Sequence, residues 1–455
     1  MSFLYSVIGF LIAIGILVAV HEFGHFWVAR KLGVKVLRYS IGFGKPLWKR
    51  VSGEDQIEYV IAAIPLGGYV KMLGEGDPNA EIKPEEMHRA FDHQPIWKRT
   101  LIVAAGPGIN FLFAVILFLL LGLMSKDALV PILGDVPESS LVAQSGILPG
   151  DKLKAVDGRE VQFFGEQDLH IFRQVLKGKD ITITVERDTQ DKTVSLSTST
   201  LPIYNISPSF LANSIGLIPI SPEITTTIDR VIDDSPAQHA GIKQGDTILS
   251  IDGQSMDSWK QLVSVVSKAP EQQLRITIQR GKVVQDIFAT PALHVLDDQQ
   301  EVGRLGIGPV FLPFAQKDQV QVSRTLWQSF NYGVEQTWLM TSVTVRMLWK
   351  MLTLQVSHQN ISGPITIAEV SGKAIQLGLD YYLHILAVIS ISLGVMNLLP
   401  IPMLDGGHLL MYAVETVAGA KWSERVFMVG QRIGVILLIC LMSLAFYNDI
   451  FRLLN

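Results

Sequence analysis

The chain has almost no cysteine: of 455 residues, Cys440 alone is one. No intrachain disulfide can brace it, although that leaves the redox compartment open, since an extracytoplasmic domain need not use disulfides. Charge is also scarce. Charged residues make up 18% of the chain and the formal net charge is -4, so no general attraction to nucleic acid is implied. The N-terminal stretch lacks a basic flank and a small-residue cleavage site. It is read as a retained membrane span and not as a signal peptide.

What fills the chain instead is apolar sequence, with a mean hydropathy of +0.33. Four runs are candidate spans, near Phe3–Val20, Leu101–Met124, Leu383–Leu399 and Gly434–Phe446; a span needs about 20 mostly apolar residues. The second run is the clearest. The third is interrupted by His384, Gly394 and Asn397, with Pro400 and Pro402 beyond it. Arg30, Lys31, Lys35, Arg38, Lys45, Lys49 and Arg50 follow the first run, and Lys98 and Arg99 precede the second. The positive-inside rule places that loop in the cytoplasm. The N-terminus, the long stretch after Ser125 and the C-terminus are then expected on the outer side.

His21-Glu22-Phe23-Gly24-His25 closes the first run. Helical residues four apart share a face, so His21 and His25 can present imidazoles to one metal ion. Glu22 points to a neighbouring face, where it can deprotonate water activated by that metal. A charged side chain at bilayer depth costs about 2.5–3.5 kcal/mol, whereas structural zinc ligation returns roughly 10–16 kcal/mol. Metal ligation therefore accounts for polar groups here, and packing alone does not. The competing reading is a His-Glu pair snorkelling to the membrane surface.

A second motif is Asn397-Leu398-Leu399-Pro400-Ile401-Pro402-Met403-Leu404-Asp405-Gly406-Gly407-His408. Its two prolines break the helix and expose backbone groups. Asp405 is an intramembrane carboxylate by position, a functional candidate by default; capping a loop is its plainer alternative. A His-His-carboxylate set leaves a fourth position for water, as catalytic zinc requires. His408 is read as a packing residue near the ligands, because a fourth protein ligand would close the site.

Between the first two runs, Tyr59–Ile64 and Tyr69–Leu73 flank Pro65-Leu66-Gly67-Gly68. This reads as an apolar β-hairpin turning at Pro65–Gly68. It either dips into the bilayer and offers an edge strand to substrate, or packs on the cytoplasmic surface. Gly42-Phe43-Gly44 is too short to interpret alone.

The long outer stretch repeats itself. Gly146, Gly150, Asp151, Asp157 and Gly158 match Gly241, Gly245, Asp246, Asp252 and Gly253 without a gap, and apolar alternation follows at Ile181–Val185 and Leu274–Ile278. Two copies suggest two small α+β domains and not a solenoid. The block resembles tandem PDZ domains, with Gly216 and Leu305-Gly306-Ile307-Gly308 placed like the carboxylate-binding loop of the circularly permuted bacterial form. Such grooves bind peptides by strand addition; mere spacers are the alternative. After them, Ser323–Leu354 is amphipathic, lying either on the outer interface or against the repeats.

In this order, the HExxH span, the P-x-G-G turn, the PDZ pair and the N-x-x-P-x-P-x-L-D-G-G stretch resemble the site-2 protease family of intramembrane zinc proteases over essentially the whole chain. The resemblance implies a polytopic α-helical membrane protein with four transmembrane helices, a membrane-associated β-hairpin and two inserted PDZ domains. Expected divisions are residues 1–127 (spans one and two with the hairpin), 128–222 and 223–312 (the PDZ domains), 313–375 (the amphipathic segment) and 376–455 (spans three and four). It further implies that His21, His25 and Asp405 bind Zn2+, that Glu22 is the general base, and that Asn397, Pro400 and Pro402 line the substrate backbone. The hairpin with Gly67 and Gly68 would be the family's membrane-reentrant loop. Implied substrates are single-span membrane proteins, chiefly an anti-sigma factor already trimmed by another protease in an envelope stress response, with remnant signal peptides a second class. Implied too are the bacterial inner membrane, periplasmic termini and PDZ domains, and size filtering by the PDZ pair. A PDZ-bearing membrane scaffold or chaperone without proteolysis is the rival reading; it leaves His21, Glu22 and Asp405 without a rationale.

Overall fold

The computed structural model describes residues 2–75, 82–199, 201, 210–295, 301–357, 363–401, 403–419, 434–436, 439–440 and 442–452. Two apolar helices begin it, α1 (Ser2–Lys31) and α2 (Ile96–Leu123). Among the described residues three helices are long and apolar enough to cross a bilayer: Leu4–Lys31 of α1, α2, and a later helix over Leu379–Asn397. The fourth expected span, Gly434–Phe446, lies partly outside the described residues; the positions described there are helical.

Between α1 and α2 lie β1 (Val36–Ser52) and β2 (Ile57–Met72), joined by a turn over residues 53–56. The structure corrects the hairpin expectation here. Pro65–Gly68 is not the turn; it lies inside β2. The inner part of β1 has two partners: Tyr39 stands opposite both Tyr59 and Val70, and Ile41 opposite both Ile61 and Gly68. The two expected arms therefore flank β1 and do not pair with each other. The outer part of β1 pairs with the start of β2, Arg50 with Tyr59 and Ser52 with Ile57. Gly42 and Gly44 have φ of 95° and 86°, a region that L side chains rarely adopt, and they bend β1 between these halves. Phe43, Leu47, Trp48, Ile61 and Ile64 of this sheet are exposed.

Two repeated α+β modules follow. In the first, β3 (Lys152–Val156), β4 (Ile181–Arg187) and β5 (Gln190–Leu196) form a sheet in that order, with helix α3 (Asp168–Lys177) beside it. In the second, the strands β6 (Ile224–Val231), β7 (Thr247–Ile251), β8 (Leu274–Arg280), β9 (Val283–Ala289) and β10 (Ile307–Phe311) run in the order β9-β8-β7-β6-β10, with α4 (Trp259–Ser267) completing the core. Ile248, Ile276 and Ile278 are its buried centre. By contacts, Ala128–Asp135 and Ile218–Val320 form one compact unit and the rest of the chain another.

The repeats share one buried ion pair. Asp151 and Asp246 are 2% and 0% exposed. Arg187 donates to Asp151 through Nε and Nη2 at 2.7 and 2.6 Å, and Arg280 to Asp246 at 2.7 and 2.7 Å. The Arg187 guanidinium holds the Asp151 carboxyl below its ordinary value. At Asp246 burial pushes upward, but the Arg280 bonds and the Lys243 amide N–H outweigh it. A carboxyl acidified by folding contributes its full stability at neutral pH and loses it as pH falls through the folded value. Amide protection in β4 and β8, corrected for intrinsic exchange, is therefore expected to fall on acidification below about pH 4. Protection that holds or rises there would contradict the role of these pairs.

After the repeats come α5 (Leu326–Leu352), α6 (Pro364–Leu377), α7 (Leu379–Asn397) and α8 (Asp405–Ala418). A capping box between Thr325 and Gln328 starts α5, satisfying orphan N–H groups at its first turn. Of the two placements expected for the amphipathic segment, packing against the repeats is the one seen, for the first repeat. The segment is one continuous helix that packs on α2 and, on another side, against α3 of the first module. Arg324 lies 4.4 Å over the Tyr332 ring and pairs with Glu166 at 3.6 Å, and Arg159 pairs with Glu335. Asp449, 1% exposed, caps α6 from far along the chain, accepting from the N–H groups of Gly363, Ile365 and Thr366 at 2.9, 2.8 and 3.2 Å. A carboxylate at a helix N-terminus is the favourable sign for the dipole. Leu17, Phe118, Leu386 and Ile391 form the buried centre between α1, α2 and α7.

Candidate metal centre

Helical spacing on α1 puts His21 and His25 on one face, with ring centroids 5.0 Å apart. That face meets α2. His25 Nδ1 lies 2.9 Å from the Ile102 carbonyl, which fixes the ring and leaves Nε2 pointing inward. His21 Nδ1 lies 3.0 Å from the side-chain amide of Asn110. Ile102, Gly106 and Asn110 recur every four residues, so one stripe of α2 serves both imidazoles. Gly106 sits between them: a Cβ there would stand 2.2 Å from His25 Nε2 and 2.9 Å from His21 Cε1.

The third donor comes from α8. The chain leaves α7 at Asn397 and crosses a tight turn, in which Ile401 N–H donates to Leu399 at 2.7 Å and Leu404 N–H to Ile401 at 3.0 Å. Asp405 then opens α8. Its Oδ2 lies 3.3 Å from His21 Nε2 and 3.5 Å from His25 Nε2, and the two Nε2 atoms are 3.4 Å apart. This near-equilateral triangle fits zinc. Tetrahedral bonds of about 2.0–2.1 Å separate ligand atoms by about 3.3–3.4 Å. Asp405 Oδ2 is buried and faces the two imidazole nitrogens without a well-formed hydrogen bond, an arrangement that a cation shared by the three atoms would satisfy.

The triangle opens into a cavity of about 660 Å³, which is also lined by Glu22, Asn397, Gly67, Gly68 and Tyr69. Glu22 is 8% exposed and packs under the sheet. A Cβ on Gly68 would lie 2.8 Å from Glu22 Cγ and 2.6 Å from the Ser40 carbonyl, so only glycine lets β2 approach α1 this closely. Asn397 Nδ2 lies 3.5 Å from His21 Nε2. His408 lines the cavity together with the three donors. Pro400 is exposed in the turn and is not part of the cavity wall. Pro402 lies outside the described residues.

Sequence reasoning passed over Gly106 and Asn110, because both sit inside the clearest apolar run. The available signal was an amide within a span, where a polar group needs a partner. It also gave no site role to Glu75, Asp92, Arg99 and Tyr412, which line the same cavity. Arg99 there donates to Glu415 at 2.9 Å and stacks 5.0 Å over Tyr412.

Comparison with known proteins places this geometry in context. The model of peptidase family M50 matches residues 9–441. The regulator of sigma-E protease RseP of Escherichia coli K12 is 40% identical over 461 residues, covering 100% of each chain. The protein of that name from Salmonella typhimurium is 39% identical over 458 residues, again covering 100% of each. A Vibrio cholerae protein named as a candidate zinc metalloprotease is 39% identical over 454 residues, covering 99% of each. A solved PDZ domain from Listeria monocytogenes aligns with 20% of this chain and 88% of its own at 19% identity, with a TM-score of 0.17, a likeness too slight to carry a fold argument.

Proposed function

The chain belongs to peptidase family M50, and on that footing we propose that His21, His25 and Asp405 hold its zinc ion while Glu22 is the general base that cuts peptide bonds inside membrane spans. The protein is a membrane zinc metalloprotease. What supports the residue assignment above all is the donor triangle of 3.3–3.5 Å, contributed by an apolar span and by the helix after a second one.

Zinc held there supplies Lewis acidity, acidifying water and polarising a scissile carbonyl. Glu22 takes the proton that the attacking water gives up and passes it to the leaving amide nitrogen. Asn397 donates its amide N–H to the carbonyl oxygen as negative charge grows. A helical substrate hides its carbonyls in hydrogen bonds, so it must unwind first. The cavity-facing end of β2, at Gly67, Gly68 and Tyr69, holds the unwound segment by strand addition. Replacing Asn397 by Ala removes one or two hydrogen bonds, each about 0.5–1.5 kcal/mol net. The expected result is a fall in kcat/KM of about 2–160-fold at unchanged zinc content; wild-type kinetics would place the substrate elsewhere.

The substrates in this reading are single-span membrane proteins such as an anti-sigma factor, with remnant signal peptides a second class. The E. coli and Salmonella relatives, named as regulators of sigma-E protease, support it. The protein sits in the inner membrane with a fourth span, both termini and the two PDZ-type modules on the periplasmic side, and the modules restrain access by bulky substrates. The test is purified protein in liposomes with single-span substrates, trimmed and untrimmed, with and without chelator. Chelator-sensitive cleavage of the trimmed form within its span is expected, with the untrimmed form spared. Cleavage confined to soluble flanks, or indifferent to chelator, would defeat the proposal.

A further inference from the structure

We propose that Asn110 is the positioning residue of His21: its side-chain oxygen receives the Nδ1–H of that imidazole and so fixes the tautomer whose Nε2 faces Asp405 and His25. This rests on the reading of His21 as a zinc ligand. Three observations carry it. Asn110 is fully buried, 0% exposed, in the middle of α2. Its amide nitrogen Nδ2 lies 3.0 Å from His21 Nδ1. Its Oδ1 has no hydrogen-bond partner.

The chemistry of the ring decides which amide atom belongs at that contact. Nε2 of His21 belongs to the donor triangle, 3.3 Å from Asp405 Oδ2, and must carry a lone pair to bind a metal. The proton of a neutral imidazole is then on Nδ1, which donates. An N–H facing another N–H is repulsive, whereas an oxygen there accepts. A half-turn of the Asn110 amide exchanges its two atoms. It pairs the orphaned oxygen with the Nδ1–H in one bond and turns the amide NH2 to the position the oxygen leaves. Ser390 of α7 donates through Oγ to the main-chain carbonyl of Asn110 at 2.9 Å, which ties this turn of α2 to α7. His25 has the equivalent anchor in the Ile102 carbonyl at 2.9 Å. One helix thus aims both imidazoles, one through its backbone and the other through a side chain.

The experiment measures zinc affinity of the purified full chain by chelator competition, without reference to turnover. Asn110→Leu keeps the volume and removes the acceptor; a 10–100-fold loss is expected, on the order seen when a ligand histidine loses its outer partner. Asn110→Asp keeps an acceptor and is expected to stay within a few-fold of wild type. A packing role gives the opposite order, with Leu tolerated and Asp damaging, and that order would overturn the proposal. Should neither variant fold, the wild type decides. In 15N-histidine spectra of the zinc-loaded chain the His21 Nδ1 proton is expected to be protected from exchange; exchange at solvent rates overturns the assignment. Wild-type zinc affinity in His21→Ala would instead sink the ligand reading beneath it, a distinct failure.

Discussion

Glu22→Gln is expected to lower cleavage by about 10²–10⁴-fold or more, the usual share of a general base, while zinc content stays at the wild-type level. The two halves of this expectation come from different parts of the geometry. Glutamine has the shape of glutamate, so the packing of residue 22 under Gly68 survives; a Gly68 Cβ would already stand 2.8 Å from Glu22 Cγ. The donor triangle is made by His21, His25 and Asp405 and does not include Glu22. What glutamine cannot do is accept a proton. Cleavage of a fluorogenic single-span substrate in liposomes, with zinc by elemental analysis on the same sample, checks both halves. His21→Ala and Asp405→Ala are expected to lose metal and activity together. Zinc loss in Glu22→Gln equal to theirs would make Glu22 a ligand, and turnover within tenfold of wild type would remove it from the chemistry.

The donor triangle was legible in the sequence because its physics is local. Spacing of four on a helix puts His21 and His25 together whatever surrounds them, and an acidic residue after two helix-breaking prolines at the end of an apolar run invites a cation. The sheet beside the site was legible only as β structure. The apolar arms 59–64 and 69–73 suggested each other as partners, since Pro and Gly between them look like a turn. In the structure both flank 38–41 of β1, whose own pattern is broken by Gly42, Gly44 and Pro46. Pairing across a long separation leaves no mark in either segment alone. The α2 stripe was hidden for another reason. Gly106 and Asn110 look like the small and weakly polar residues any span tolerates, and their meaning depends on which helix lies opposite. The repeats, by contrast, declared themselves through the shared Gly-Asp turn, and the structure gives each turn aspartate its own arginine at the end of a distant strand.

Gly106→Ala is expected to empty the metal site. The Cβ would lie 2.2 Å from His25 Nε2 and 2.5 Å from its Cε1, far inside van der Waals contact. The imidazole has little room to yield, since its Nδ1 is held by the Ile102 carbonyl of the same helix at 2.9 Å. Turning it aside breaks that bond and takes Nε2 out of the triangle; separating α1 from α2 disturbs His21 as well, whose Cε1 is 2.9 Å from the same point. Zinc affinity is therefore expected to fall by more than the roughly 10–100-fold that follows loss of an outer hydrogen-bond partner. Gly108→Ala is the matched control. It makes the same change two residues along the same helix, where a Cβ meets nothing within 4 Å. Alanine is intrinsically the better helix former by about 0.8–1.0 kcal/mol, so this variant is expected to keep its zinc and to be at least as stable as wild type. Chelator competition and thermal unfolding of the two variants side by side separate a metal-site effect from a general disturbance of α2. Equal zinc affinity in both would mean that the imidazoles do not depend on the closeness of α2. Equal instability in both would mean that the helix, and not the metal site, is what requires glycine.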